Sequence, residues 1–342
     1  MRTRWIAGIL LTVSSLGTLV VAALAQAPAK PLRPFTFILD FLPYGEYTPY
    51  FTALEKGWYR EEGLDVKILR GAGSGDTVKR IAAGQGDAGS ADFAPVVAAR
   101  ANEDAKVKSI AVYFRETWLS IFVRTDSGIN APKDLEGKTI STTPGNAHHV
   151  LWPLYSQLAG FNGDSVKWVT MDGAAMGPAL ITRRVDAAPF AHVHEARLQK
   201  QAKEQGTSLR RLAYKDVGMD LYALTIIARD DSIARDPEPL KAFLRATLRG
   251  MPYAWDGKNI EEGARYVVNR NPEVDIDAAV GAARVAALYG LTEDVKSGRA
   301  ALGQLDPVKV RKSIDIYTQY LKLKRKVEPD EVYTNDLLPA RK

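Results

Sequence analysis

Residues 53–66, running from Ala53 through Gly57, Trp58 and Gly63 to Val66, constrain this chain more than any other segment. They read as a helix that ends at a glycine turn and delivers the chain straight into a strand beginning at Leu64. Just upstream, the apolar and β-prone residues 35–39 read as a first strand, which breaks at Asp40-Phe41-Leu42-Pro43. Strand, loop, helix, strand is the opening of an α/β sheet. Such sheets hold ligands in the loops at the carboxyl ends of their strands.

The pattern continues. Gly71-Ala72-Gly73-Ser74-Gly75-Asp76 leads into a helix through Val78 and Ile81, followed by a short strand at 88–90. Strands at 107–114 and 119–124 are expected to complete the first sheet. A second series follows: a short helical turn at 133–138, a strand at 139–142, a helix capped by Asn146, and a strand at 166–171. Next come a helix at 174–183, a strand at 187–190, a helix at 192–205 and a strand at 209–214. Residues 81–88 and 181–187 echo each other, each a helix end with an Asp-Ala step into a short strand. Beyond the apolar strand at 221–228, the periodicity is helical almost to the end.

This order predicts an α/β protein of two lobes, the second inserted into the first. Residues 30–120 and 226–342 form lobe I, with the C-terminal helices packed on it, and residues 121–225 form lobe II. The crossings between lobes are expected at 119–124 and 221–228, with a ligand cleft between the lobes.

The N-terminus reads as an export signal. Arg2 and Arg4 precede an apolar run over 6–21, and Ala23-Leu24-Ala25 fits a small-x-small cleavage site. Cutting there removes 25 of the 342 residues, and with them two arginines and no acids from a formal charge of +6. The remaining length suits two lobes. No basic block of the kind that tracks nucleic acid occurs, and no second apolar run approaches a membrane span. The chain has no cysteine, which excludes a thiol nucleophile, a cysteine zinc site and a lipidated N-terminal cysteine. An exported, cysteine-free chain points to a Gram-negative periplasm.

Leu39-Asp40-Phe41-Leu42-Pro43, residues 53–66, Gly86-Asp87-Ala88 and Leu135-Glu136-Gly137-Lys138-Thr139-Ile140 together resemble the extracytoplasmic solute-binding proteins of ABC importers. Within them, the chain is most similar to the thiamine-pyrimidine-precursor branch, beside the sulfonate, taurine and nitrate binders. The resemblance covers about residues 35–255. It implies the periplasmic-binding-protein (Venus flytrap, type II) fold and a monomer that delivers its ligand to a permease with its ATPase. The membrane is reached only through that permease. It also implies no cofactor and no catalytic residue. The branch commonly has Trp where this chain has Phe41, and Asn where it has Tyr44.

The candidate ligand residues follow from these loops. Phe41, Tyr44 and Tyr47 can stack on a planar ring, and Asp40 can accept hydrogen bonds from ring amines. Gly73 and Ser74 bring backbone and amides close to a ligand at a helix start, and Ser90 and Asp92 add polar contacts at the third strand's end. From lobe II, Thr142, Thr143, Asn146 and His148 form a strand-to-helix turn, and Phe190 and His192 form the loop after the echoed Asp-Ala step. All four histidines lie in these two lobe II loops, as His148, His149, His192 and His194, without the His-Glu-x-x-His spacing of a zinc site. No metal is expected. Three alternatives stay open: a sulfonate, taurine or nitrate-type anion, an aromatic carboxylate, and a thiamine-pyrimidine biosynthetic enzyme. The enzymes of that last type use this fold with a histidine donor and a cysteine-rich segment, which this chain lacks.

Overall fold

A computed structural model describes residues 31–340. The expected signal segment and its cleavage site lie outside the described residues. Two five-stranded sheets organise the chain. The strands are β1 (Arg33–Ile38), β2 (Leu64–Leu69), β3 (Ala88–Asp92), β4 (Val107–Val112), β5 (Leu119–Arg124), β6 (Thr139–Thr142), β7 (Lys167–Thr170), β8 (Ala187–Ala191), β9 (Leu209–Ala213) and β10 (Leu224–Arg229). The first sheet runs β2-β1-β3-β10-β4 and the second β7-β6-β8-β5-β9.

The two orders are the same pattern. In each sheet four strands run parallel and one runs antiparallel between them: β10 between β3 and β4 in the first, and β5 between β8 and β9 in the second. This corrects one expectation. Residues 119–124 pair with β8 and β9 in the second sheet and do not complete the first. The chain therefore crosses between sheets at 113–118 and returns at 214–223, just outside the strands that were expected to cross. Strand periodicity reads a buried strand but cannot say which sheet accepts it.

The sequence echo has a structural counterpart. Asp87 Oδ2 accepts the Thr36 amide at 2.7 Å while the Asp87 amide donates to Thr36 O at 2.9 Å. Asp186 does the same with Thr139, at 2.8 Å in both directions. Each aspartate pins the start of its sheet's central strand to the neighbouring parallel strand.

The 53–66 segment is broken more finely than its periodicity predicts. A 3-10 turn at Gly45–Tyr47 precedes the helix Thr48–Glu55, and Gly57, with φ of 73°, separates this from a last turn at Trp58–Glu61. That break turns Trp58 and Tyr59 inward onto the helix Glu238–Ala254. Tyr59 stacks on Phe243 with ring centroids 5.1 Å apart, and its hydroxyl bonds Thr247 Oγ1 at 2.8 Å. Phe243 also stacks on Phe35 and Phe37 of β1, both at 4.8 Å. The C-terminal helices are thus bound into the first sheet's core, which continues through Val310, Tyr317 and Val332. Among the described residues no helix is long and apolar enough to cross a membrane.

Candidate functional site

The loops at the carboxyl ends of β1 and β3 meet those after β6 and β8 across a cleft. It is lined by Asp40, Phe41, Gly73, Ser74 and Asp92 from the first half and by Asn146, Ala147, His148, Pro189, Phe190, Ala191 and His194 from the second. Trp118 and Leu119 close it from the first crossing. Its cavity volume is about 40 Å³, below that of an open ligand site.

Two carboxylates form its polar floor. Tyr47 Oη (2.9 Å) and Ser90 Oγ (2.6 Å) both donate to Asp40 Oδ1. Asp40 Oδ2 has no hydrogen bond to any described residue. Asp92 is gripped on both oxygens, by Trp118 Nε1 at 3.1 Å and Ser74 Oγ at 3.3 Å. Burial, reinforced by the charge of Asp92, pushes Asp40 up to about 7, and burial pushes Asp92 up to about 6. No lysine or arginine lines the cleft among the described residues.

A raised carboxyl pKa has a defined stability signature. Asp40 contributes stability that is fully present below its unfolded value near 3.8 and is lost as pH rises through about 7. The melting temperature of the ligand-free protein, minus that of Asp40→Asn, is therefore expected to fall between pH 5 and pH 8. A difference that stays flat or rises would show that Asp40 is not held in this way.

Several expected ligand residues serve the site from behind. Tyr47 and Ser90 are fully buried and hold Asp40. Tyr44 lies in a neighbouring small cavity, its ring 4.7 Å from the Arg197 guanidinium. Thr142 and Thr143 turn into their own loop: Thr142 Oγ1 donates to Thr143 O at 3.3 Å, and Thr143 Oγ1 accepts from Asn146 Nδ2 at 3.4 Å. His192 is replaced by His194. Residues His192–His194 form a 3-10 turn, so the ring that falls under the cleft is two positions further on. His192 instead meets Tyr289 Oη at 2.9 Å.

The histidines are separated by their surroundings. His148 contacts Asn146 Oδ1 at 2.9 Å through Nδ1 and Phe190 O at 3.2 Å through Nε2, and burial lowers its pKa to about 3, so the ring is neutral. His149 stacks on Trp168 at 4.5 Å. His194 Nδ1 accepts the Ala191 amide at 3.2 Å, which leaves Nε2 to donate to Glu46 Oε1 at 3.1 Å. With both nitrogens engaged, His194 packs among Phe41, Tyr44 and Phe190 at 5.5–5.7 Å. Trp118, His194 and Glu46 are the residues that sequence reading missed. Trp118 lies in a crossing with no motif, and Glu46 reads as an ordinary helix-start acid.

The glycine loop approaches protein backbone. A Cβ on Gly71 would lie 2.0 Å from Leu39 O. Across the cleft mouth, the Gly75 amide donates to Gly145 O at 2.8 Å, and a Cβ on Gly145 would lie 2.5 Å from the Asp76 amide nitrogen. Beside this seam Arg70 and Asp172 pair at 3.1 Å.

Residues 45–257 match the family model described as NMT1/THI5 like, more than half of the chain. The chain belongs to the NMT1/THI5-like family. Among curated relatives, it is 26% identical over 249 residues to the formylaminopyrimidine-binding protein of Halalkalibacterium halodurans, covering 72% of this chain and 73% of that one. It is also 26% identical to the riboflavin-binding protein RibY of Chloroflexus aurantiacus, covering 68% and 67% respectively. Family relatives include a 4-amino-5-hydroxymethyl-2-methylpyrimidine phosphate synthase of Schizosaccharomyces pombe, 28% identical over 61% of this chain and 63% of that one. The fold matches a solved structure from Bordetella bronchiseptica RB50 with a TM-score of 0.68 at 18% identity, covering 89% of this chain and 95% of that one. It matches the periplasmic nitrate-binding protein NrtA of Synechocystis PCC 6803 with a TM-score of 0.63 at 14% identity, covering 90% and 87%. The family's fold here is that of the periplasmic binding proteins, two α/β lobes joined by two crossings.

Proposed function

We propose that this protein is the periplasmic solute-binding component of an ABC importer, and that it binds a small amine-bearing heteroaromatic of the thiamine-pyrimidine-precursor type. The parts of the chain that carry the first sheet (up to 112 and from 224) act as one lobe and the part that carries the second (119–213) as the other, closing on the ligand and presenting it, as a monomer, to a permease. The observation that carries the ligand class is the lining of the cleft: Asp40 and Asp92 among Phe41, Phe190 and Trp118, with no cationic side chain among the described lining residues. A sulfonate or nitrate would bring its charge against two acids. An amine donor meets the unengaged Asp40 Oδ2, and a flat ring meets the aromatic walls. The related formylaminopyrimidine-binding protein supports the same class. The synthase reading finds less support, since the chain has no cysteine.

A thermal-shift screen tests the reading, because a ligand that binds only the folded state raises the melting temperature. Aminopyrimidines are expected to stabilise the protein and alkanesulfonates and nitrate to leave it unchanged; the reverse result sinks the pyrimidine assignment. Phe41→Ala is expected to weaken aminopyrimidine binding about tenfold through lost ring contact. Formation of product on incubation with candidate substrates and cofactors would establish an enzyme instead.

A further inference from the structure

Beside the cleft, the lobes also meet through charged groups whose hydrogen bonding is incomplete. Glu46 lies in the first lobe's 3-10 turn and is fully buried. Its Oε1 accepts from His194 of the second lobe, while Oε2 is buried with no hydrogen-bond partner among the described residues. Arg197, on the second-lobe helix Glu195–Glu204, presents the complementary case. Its Nη1 donates to Gln201 Oε1 at 3.2 Å, but Nε and Nη2 are buried without a partner among the described residues. The guanidinium lies over the rings of Tyr44 and Phe190, at 4.7 and 5.4 Å. Burial holds Arg197 below the ordinary arginine range, opposed by Tyr44 and Glu46.

Both lobes wall these atoms. Tyr44, Ala278, Ala279 and Ala282, which wall the Arg197 cavity, belong to the first lobe, and Arg197 to the second. Parting the lobes returns Glu46 and Arg197 to water. Closure therefore strips solvent from two charged side chains without completing the hydrogen bonding of either. A buried charge left in this state costs more than an apolar side chain of the same shape.

We propose that Glu46 and Arg197 are two interlobe charges whose burial opposes closure, so that the ligand-free protein rests open and the ligand supplies the missing stability. This rests on the reading of the protein as a hinge-closing binder. It makes the pair a determinant of affinity without ligand contact, since apparent affinity scales with the population of the closed form.

The absence of cysteine allows a direct test. Lys67 and Lys167 are exposed on the edge strands β2 and β7, whose ends flank the Arg70–Asp172 pair at the cleft mouth. Spin labels on Lys67→Cys and Lys167→Cys report lobe separation by pulsed EPR without any ligand. The ligand-free parent is expected to populate mainly long distances. Combining Glu46→Gln with Arg197→Met is expected to raise the short-distance, closed population at least about fivefold. Each single substitution should raise it by less, and Arg197→Lys, which keeps the charge, should leave the parent distribution. A parent already closed, a double variant no more closed than the parent, or closure by Arg197→Lys each overturns the proposal. Should the double variant not fold, a single variant that closes more than the parent supports it, and one that closes no more than the parent overturns it. Because no ligand is present, these outcomes are independent of whether aminopyrimidines bind.

Discussion

Asp40→Asn is expected to lower the affinity for an aminopyrimidine about 100-fold, since a hydrogen bond to a charged acceptor contributes about 1.5–3 kcal/mol and the new amide opposes it. The substitution is nearly isosteric. The amide oxygen can still accept from Tyr47 and Ser90, as Asp40 Oδ1 does now, so the buried network behind the site is kept. The change falls on the second atom. Where Oδ2 faces the ligand as an acceptor, the amide presents N–H donors against the ring's own donors. Titration calorimetry at pH 8 reads the effect. An affinity unchanged within threefold would remove Asp40 from the binding site. The pH profile adds a second arm. Asp40, raised to about 7, must be ionised to accept from an amine, so wild-type affinity is expected to hold above that pH and to fall below it. Asp92, raised to about 6, extends the decline, while Glu46, Tyr47, His148 and His194 complete the set of titratable neighbours. The asparagine variant should lose the upper part of this dependence.

Gly145→Ala is expected to weaken ligand binding about 10–100-fold while costing the ligand-free protein only about 1–2 kcal/mol, the strain of an L-residue in left-handed backbone. Gly145 has a φ of 70°. That strain is local to the second lobe. The larger effect arises only on closure, when the new Cβ would stand 2.5 Å from the Asp76 amide nitrogen and break the seam made by the Gly75–Gly145 hydrogen bond. Backbone cannot rotate away as a flexible side chain can. Gly137→Ala supplies the control, because Gly137 has a φ of 69° and open space around its Cβ position. It should show the strain without the loss of affinity. If both variants bind alike, the glycine seam has no part in closure.

The fold was largely legible in the sequence. Apolar runs bounded by glycine turns located the strands, and the Asp-Ala echo located the second lobe, because each aspartate closes the same reciprocal pair with the neighbouring strand. Strand pairing was less legible. Residues 119–124 carry a buried strand's pattern on both faces, and nothing in that pattern names a partner sheet. The site divides in the same way. Asp40, Phe41, Gly73, Ser74, Asp92, Asn146, His148 and Phe190 could be chosen because the carboxyl ends of parallel strands converge. Tyr44, Tyr47, Ser90, Thr142, Thr143 and His192 share those loops but not that surface. Which side of a loop a residue occupies depends on turns as short as His192–His194.

By itself, then, the sequence determined the α/β class, the duplicated lobe and the loops that meet, since these depend on periodicity and on glycine and capping residues acting within a few positions of themselves. Only the tertiary structure decided which sheet receives each crossing strand, why Trp118 and His194 enter the cleft, and what the glycines approach. It also decided that Glu46 and Arg197 become buried against one another's lobe. Those outcomes depend on groups brought together from distant parts of the chain, and contact and desolvation between such groups have no period to read.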